Sequence, residues 1–222
     1  MKKTLVLIII LFSIVSCNIQ TREDNQGEME YYTKAIEKNP KDAKAYSKRG
    51  LLKCYLQDYH GALADYSKVL EINPKDTFIY YLIAEAKAKL RDYKGAMENY
   101  DKLIEINPKD EFGYSMRALA KKGFGDYHGA IADYGKLIEL NPKDANNYID
   151  RATAKEIIRD YQGAIADYSK LIELNPKAAK IYIKRGLAKI KLGQKDGGCL
   201  DLSKAGEMGC EDAYEEIKKY CN

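Results

Sequence analysis

Along most of the chain, apolar residues return at helical spacing in segments of about 14 residues, with polar and charged residues filling the positions between them. The segments come in pairs. Within a pair, the separating run aligns without a gap in four copies: Tyr59-His60-Gly61-Ala62, Tyr93-Lys94-Gly95-Ala96, Tyr127-His128-Gly129-Ala130 and Tyr161-Gln162-Gly163-Ala164. Between pairs stands Asn-Pro-Lys, at Asn39-Pro40, Asn73-Pro74, Asn107-Pro108, Asn141-Pro142 and Asn175-Pro176, each copy 34 residues after the last. The chain has no other proline. A residue that cannot continue a helix, returning at one fixed interval, marks the joint between stacked units. The pattern predicts an all-α solenoid in which each unit is a hairpin of two antiparallel helices.

Residue types recur in register inside the units. Counting from Ala43, the fourth position holds Tyr46, Tyr80, Tyr114, Tyr148 and Tyr182, and the eighth Gly50, Ala84, Ala118, Ala152 and Gly186. The twentieth holds Ala62, Ala96, Ala130, Ala164 and Gly198, and the twenty-fourth Tyr66, Tyr100, Tyr134, Tyr168 and Leu202. This pattern resembles the tetratricopeptide repeat over roughly residues 26–221, although the fifth unit lacks the closing proline. The resemblance implies repeats over 43–76, 77–110, 111–144, 145–178 and 179–210. A capping helix over 28–42 would precede them, and another over 211–222 would cover the last face. Small residues at the crossing let two backbones approach, and tyrosines fill the space beside them. Since 13 of the 19 tyrosines fall at the fourth, seventeenth and twenty-fourth positions, they are assigned to packing and not to a base-stacking platform.

At the seventh and twenty-third positions, on helices that face each other in the family fold, stand Arg49 and Asp65, Arg117 and Asp133, Arg151 and Asp167, and Arg185 and Asp201. The second unit has Ile83 and Asn99 there instead. Joint loss of both charges points to four interhelical ion pairs, because an unpartnered buried charge is costly.

The first 17 residues differ in kind. Lys2 and Lys3 precede an apolar run from Leu5 to Val15, far shorter than the roughly 20 residues a helix needs to cross a bilayer, as in a secretion signal. Its end, Ile14-Val15-Ser16-Cys17, resembles a bacterial lipoprotein box. That implies a signal peptide over 1–16, with diacylglycerol and an amide-linked acyl chain such as palmitate on Cys17, and a tether over 17–27. Asn18 after the cysteine, where inner-membrane retention would have Asp, implies the outer membrane of the cell envelope. An ordinary cleaved leader with a free Cys17 thiol is the alternative.

Outside the cytoplasm disulfides form. With Leu200 to Ala205 and Ala213 to Tyr220 as an antiparallel hairpin, Cys199 and Cys221 lie opposite each other, whereas Cys210 sits at the turn, beyond bridging distance. A Cys199–Cys221 disulfide is expected, with four reduced thiols as the alternative; Cys54 and Cys210 are not assigned. No histidine accompanies the cysteines, so no metal or cofactor site is expected.

Formal charge is +4, and loss of Lys2 and Lys3 with the leader leaves +2, too little to imply nucleic acid. His60 and His128 share a slot with Lys94 and Gln162, which marks that slot as solvent-facing, and no catalytic motif is present. The tetratricopeptide resemblance implies a concave groove lined by the first helices. Its positions carry Tyr55, Phe78, Tyr81, Leu82, Phe112, Met116, Leu119 and Ile149, which would form an exposed apolar stripe. No unit has Lys at the fifth and Asn at the ninth position, which a clamp for chaperone carboxylates would need. The expected function is that of a lipid-anchored, non-enzymatic module binding a peptide segment or partner protein in the groove. The alternative is an envelope scaffold acting through its convex face or through homo-oligomers.

Overall fold

The computed structural model describes residues 25–221. The leader, the lipidation site Cys17 and most of the tether lie outside them. Helix α1 covers residues 25–38. It is followed by α2 (Ala43–Tyr55), α3 (Tyr59–Ile72), α4 (Thr77–Lys89), α5 (Tyr93–Ile106), α6 (Glu111–Gly123) and α7 (Tyr127–Leu140). The chain continues through α8 (Ala145–Ile157), α9 (Tyr161–Leu174), α10 (Ala179–Lys191), α11 (Lys195–Glu207) and α12 (Asp212–Tyr220). Among the described residues there is no strand, and no helix is long and apolar enough to cross a membrane. Residues 25–27, expected in the tether, are helical, since Gln26 and Glu28 favour a helix and no proline interrupts them. The helices form two compact units, one ending at Ile106 and the other beginning at Asn107.

Each joint is a stop and a start written in four residues. In Asn-Pro-Lys-Asp, the Asn side chain turns the chain by accepting from the Lys N–H, at 3.2 Å for Asn39 and Lys41 and 3.1 Å for Asn175 and Lys177. The Asp then caps the next helix: Asp42 accepts from the Ala45 N–H at 2.9 Å and Asp144 from that of Asn146 at 2.9 Å. Only α10 among the five first helices lacks this bond, because Ala178 stands at its cap.

The turn inside each unit is equally short. One residue takes a left-handed conformation: Gln57 (φ 64°), Arg91 (φ 62°), Gly125 (φ 78°), Arg159 (φ 63°) and Gly193 (φ 89°). An Asp follows in four of the five hairpins and caps the second helix. Asp58, Asp92, Asp126 and Asp160 each accept at 2.9 Å from the N–H of Gly61, Gly95, Gly129 and Gly163. A Cβ on any of these glycines would collide with the capping carboxylate, which is why the slot repeats as Gly.

Between the turns the helices cross through small residues. Ala62, Ala118, Ala130, Ala152 and Ala164 are fully buried, and so are Tyr66 and Tyr168 beside them. In the first unit, Ala62, Tyr66 and Val69 of α3 pack against Ile79, Leu82 and Ile83 of α4. In the second unit, Tyr148 and Ala152 of α8, Ala164, Tyr168 and Leu171 of α9 and Ala188 of α10 form one cluster. The backbones of α10 and α11 approach closely, and a Cβ on Gly198 would lie 2.7 Å from the Gly186 carbonyl oxygen.

Across each charged pair the Arg reaches the facing Asp with two nitrogens. The Nε distances are 2.9 Å for Arg49–Asp65, 2.9 Å for Arg117–Asp133, 3.0 Å for Arg151–Asp167 and 2.8 Å for Arg185–Asp201. A lysine completes every set: Lys53, Lys121, Lys155 and Lys189 reach the same carboxylates at 2.8, 2.9, 2.9 and 2.8 Å. The carboxylates are 2–6% exposed, so each is a buried anion held by two cations. Each Arg also lies over the Tyr at the fourth position, at 5.5–5.8 Å from the ring centre. Where the pair is replaced, Ile83 joins the core and the Asn99 amide donates to the Gly95 carbonyl. Burial would raise the Asp201 carboxyl, but hydrogen bonds and charge from Arg185 and Lys189 outweigh it and hold the group below its ordinary value.

At the carboxyl end, α12 covers α11 through Ala213 and Ala205, both fully buried, and the Tyr214 hydroxyl donates to the Gly206 carbonyl at 3.1 Å. Cys199 and Cys221 form a disulfide with Cα atoms 5.8 Å apart, while Cys54 and Cys210 are free thiols.

Three stability measurements check this account. Arg159→Gly relieves a left-handed non-glycine residue and should stabilise the fold by roughly 0.5–1 kcal/mol in urea unfolding, whereas a loss would show that the Arg159 side chain matters more than its backbone. Asp201→Asn should cost about 3–5 kcal/mol at neutral pH, because it leaves two cations without their anion. Since the folded-state value of Asp201 is depressed, its contribution is complete above the ordinary carboxyl value of 3.8 and is lost as pH falls through the folded value, so the variant's acid limb should be shallower. Reduction of Cys199–Cys221, which closes a loop with a sequence separation of 22, should cost about 3 kcal/mol, and alkylation should reach these two thiols only after reduction.

Candidate partner-binding surfaces

The charged residues expected to pair and the apolar residues expected to bind fall in different parts of the structure. The Arg and Asp residues face each other inside the hairpins and leave no charge for a partner. The apolar positions divide between surface and core.

In the first unit, Phe78 is the second residue of α4 and stays 55% exposed, whereas Ile79 beside it is buried. Tyr81, one turn on, is half-buried, with its ring 6.2 Å from that of Phe78. Burial, with a hydrogen bond to Glu85, pushes its hydroxyl up to about 12. Tyr55 closes α2 and is 70% exposed. Leu82 corrects the expectation. It is buried in the core with Ile79 and Ile83, because α4 is apolar on more than one face and residue 82 follows residue 79 by three, onto the side that packs on α3.

In the second unit, Phe112, Met116 and Leu119 follow one another by four and three residues along α6 and share one face. Phe112 and Leu119 are exposed and Met116 is half-buried. Ile149 does not continue this exposed stripe: it is half-buried against the Tyr148, Ala152 and Tyr168 cluster. An aromatic and aliphatic face of this kind can hold a partner's apolar side chains, but it supplies no acid, base or nucleophile. Among the described residues no group of three or more His, Cys, Asp or Glu side chains could hold a metal. His60 and His128 are exposed.

Two features were missed in the sequence. The lysines that complete the buried ion sets, Lys53, Lys121, Lys155 and Lys189, all stand four residues after the seventh position, so their signal was present. The hydroxyls of Thr33 and Ser169, which accept from Arg49 and Arg185 at 3.2 Å, occupy one slot of the 34-residue period, so their register was legible as well.

Comparison with known proteins places this architecture. The tetratricopeptide repeat family matches residues 43–76, 79–110 and 113–144, and a further TPR repeat matches residues 160–193, together more than half of the chain. No curated protein matches the chain in sequence. Among solved structures, the fold is similar to that of YrrB, described as a TPR protein with an unusual peptide-binding site. The TM-score is 0.65 at 21% identity, covering 86% of this chain and 99% of YrrB. It is also similar to MamA, with a TM-score of 0.62 at 23% identity over 80% of this chain and 94% of MamA. A tetratricopeptide repeat protein from Parabacteroides merdae ATCC 43184 is 27% identical over 91% of this chain and 80% of its own length, with a TM-score of 0.51. Helical hairpins at a 34-residue period, small residues at every crossing and these matches agree: the chain belongs to the tetratricopeptide repeat family.

Proposed function

We propose that this chain is a lipid-anchored interaction module that holds a peptide segment or a partner protein on the exposed faces of its first helices. The observation that carries the proposal is the exposure of Phe78, Phe112 and Leu119, with Tyr55, on the first helices of the repeats. Repeat arrays present such helix faces as extended surfaces, and binding there needs no chemistry from the chain. The anchor rests on Ile14-Val15-Ser16-Cys17, and placement at the outer membrane on Asn18. In this reading Cys17 carries the lipid and is the chain's only attachment to the membrane.

A photo-crosslinking residue at Phe78 in the native envelope, with a second probe at Phe112, tests the proposal by mass spectrometry of the adducts. One heteromeric partner captured from both positions is the expected result. Self-adducts alone, or adducts only from a control probe at Ser67 on the exposed side of α3, would replace the module by a scaffold assembling through its other face. Cys17→Ser should move the protein from the membrane fraction to the soluble one.

A further inference from the structure

The second unit contains an open cleft of about 560 Å³ that only Ile149 of the expected stripe reaches. Ile149 of α8, Leu174 at the end of α9, Ile181 of α10 and Met208 after α11 line it, with Lys180 among them. Its wall at residues 208–210 is fixed by the chain itself. The Gly209 N–H donates to the Gly206 carbonyl at 2.9 Å, the Cys210 N–H to the Ala205 carbonyl at 3.2 Å, and the Cys199–Cys221 disulfide ties α12 to α11. A cleft held open in this way needs little ordering when a side chain enters.

The helix on one side of it is basic. Helix α10 carries Lys180, Lys184, Arg185, Lys189 and Lys191 and no acidic residue. Arg185 and Lys189 are held by Asp201, and Lys191 lies over the Tyr161 ring. Lys180 and Lys184 are one turn apart on one face, both are exposed, and neither forms an ion pair among the described residues. Several carboxylates of the neighbouring elements are already engaged. Asp144 caps α8, Asp150 meets Lys122 at 3.4 Å and Glu173 meets Lys170 at 2.8 Å, while Glu211 and Asp212 follow Cys210 at the start of α12.

We infer that this cleft takes an apolar side chain of an acidic peptide segment, with Lys180 and Lys184 meeting the acids that flank it. The inference rests on the module reading above and adds to it a place and a partner chemistry. Apolar lining supplies the anchor, and the two lysines select the sign of the neighbouring residues and speed encounter.

Panning a random decapeptide display library on the full chain in detergent tests it. Enriched peptides should carry a bulky apolar residue beside two or more acids, with affinity that falls as salt rises. Their binding should weaken about tenfold in the Lys180→Glu/Lys184→Glu double variant and on Leu174→Gln, at an exposed lining position, with melting temperatures unchanged. Neutral or basic enriched peptides, equal binding to both variants, or no enrichment at all would overturn the inference. A partner captured from Phe78 and Phe112 alongside such a failure leaves the module reading standing, whereas failure of both experiments removes both.

Discussion

The fold depends on how closely two helices can cross. At each crossing the side chain is alanine or glycine, and the adjacent space is filled by a tyrosine from the second helix, so the backbones approach and the rings close the gap. A ring this large fits only because the facing position is small: a Cβ on Gly50 would strike the Tyr66 ring. In the last hairpin the tyrosine is replaced by Leu202, and both crossing residues are glycine. There the backbone of α11 fills the room that a ring occupies elsewhere. The same steric rule therefore gives two solutions in one chain.

Within that close packing, the buried carboxylates decide how the helices are aligned. A buried Asp is stable only if its cations reach it, and the Arg and Lys that do so stand four residues apart on the facing helix, so both arrive from one direction. Sliding one helix past the other by a turn would part the Asp from its cations, whereas an apolar contact would tolerate the slip. The hairpin with Ile83 and Asn99 lacks this device and relies on apolar packing, with Ile79, Leu82 and Ile83 all buried. This explains why α4 is the most apolar of the first helices and why Leu82 could not remain on the surface. The Tyr134 hydroxyl is buried with no protein partner, so its ring, and not its polar end, is what the core uses.

Surface and core thus follow from one another. Positions that the hairpins use for crossing and ion sets are closed to partners. What is left on the first helices is a few aromatic and aliphatic side chains and, on α10, lysines that the core does not employ. In the last two repeats the disulfide and the α12 cap have a second effect beyond covering the final face: they hold the turn at residues 208–210 as a wall of the adjacent cleft.

The sequence by itself determined the number and limits of the hairpins. Proline at a 34-residue interval, Asp caps and Gly slots are local signals, each acting within a few residues of its own position. It also determined which charges face each other, because a repeat states the same pairing several times, and the joint replacement by Ile83 and Asn99 served as an internal control. Only the tertiary structure decided which apolar residues of the first helices stay outside. Phe78 and Leu82 lie four residues apart on the same helix, yet one is 55% exposed and the other 6%, because burial depends on what the neighbouring helix presents at that height and not on the residue's own periodicity. The cleft between α8, α9, α10 and the 208–210 turn was hidden for the same reason: its lining comes from four separate segments, and no spacing within any one of them records that they meet.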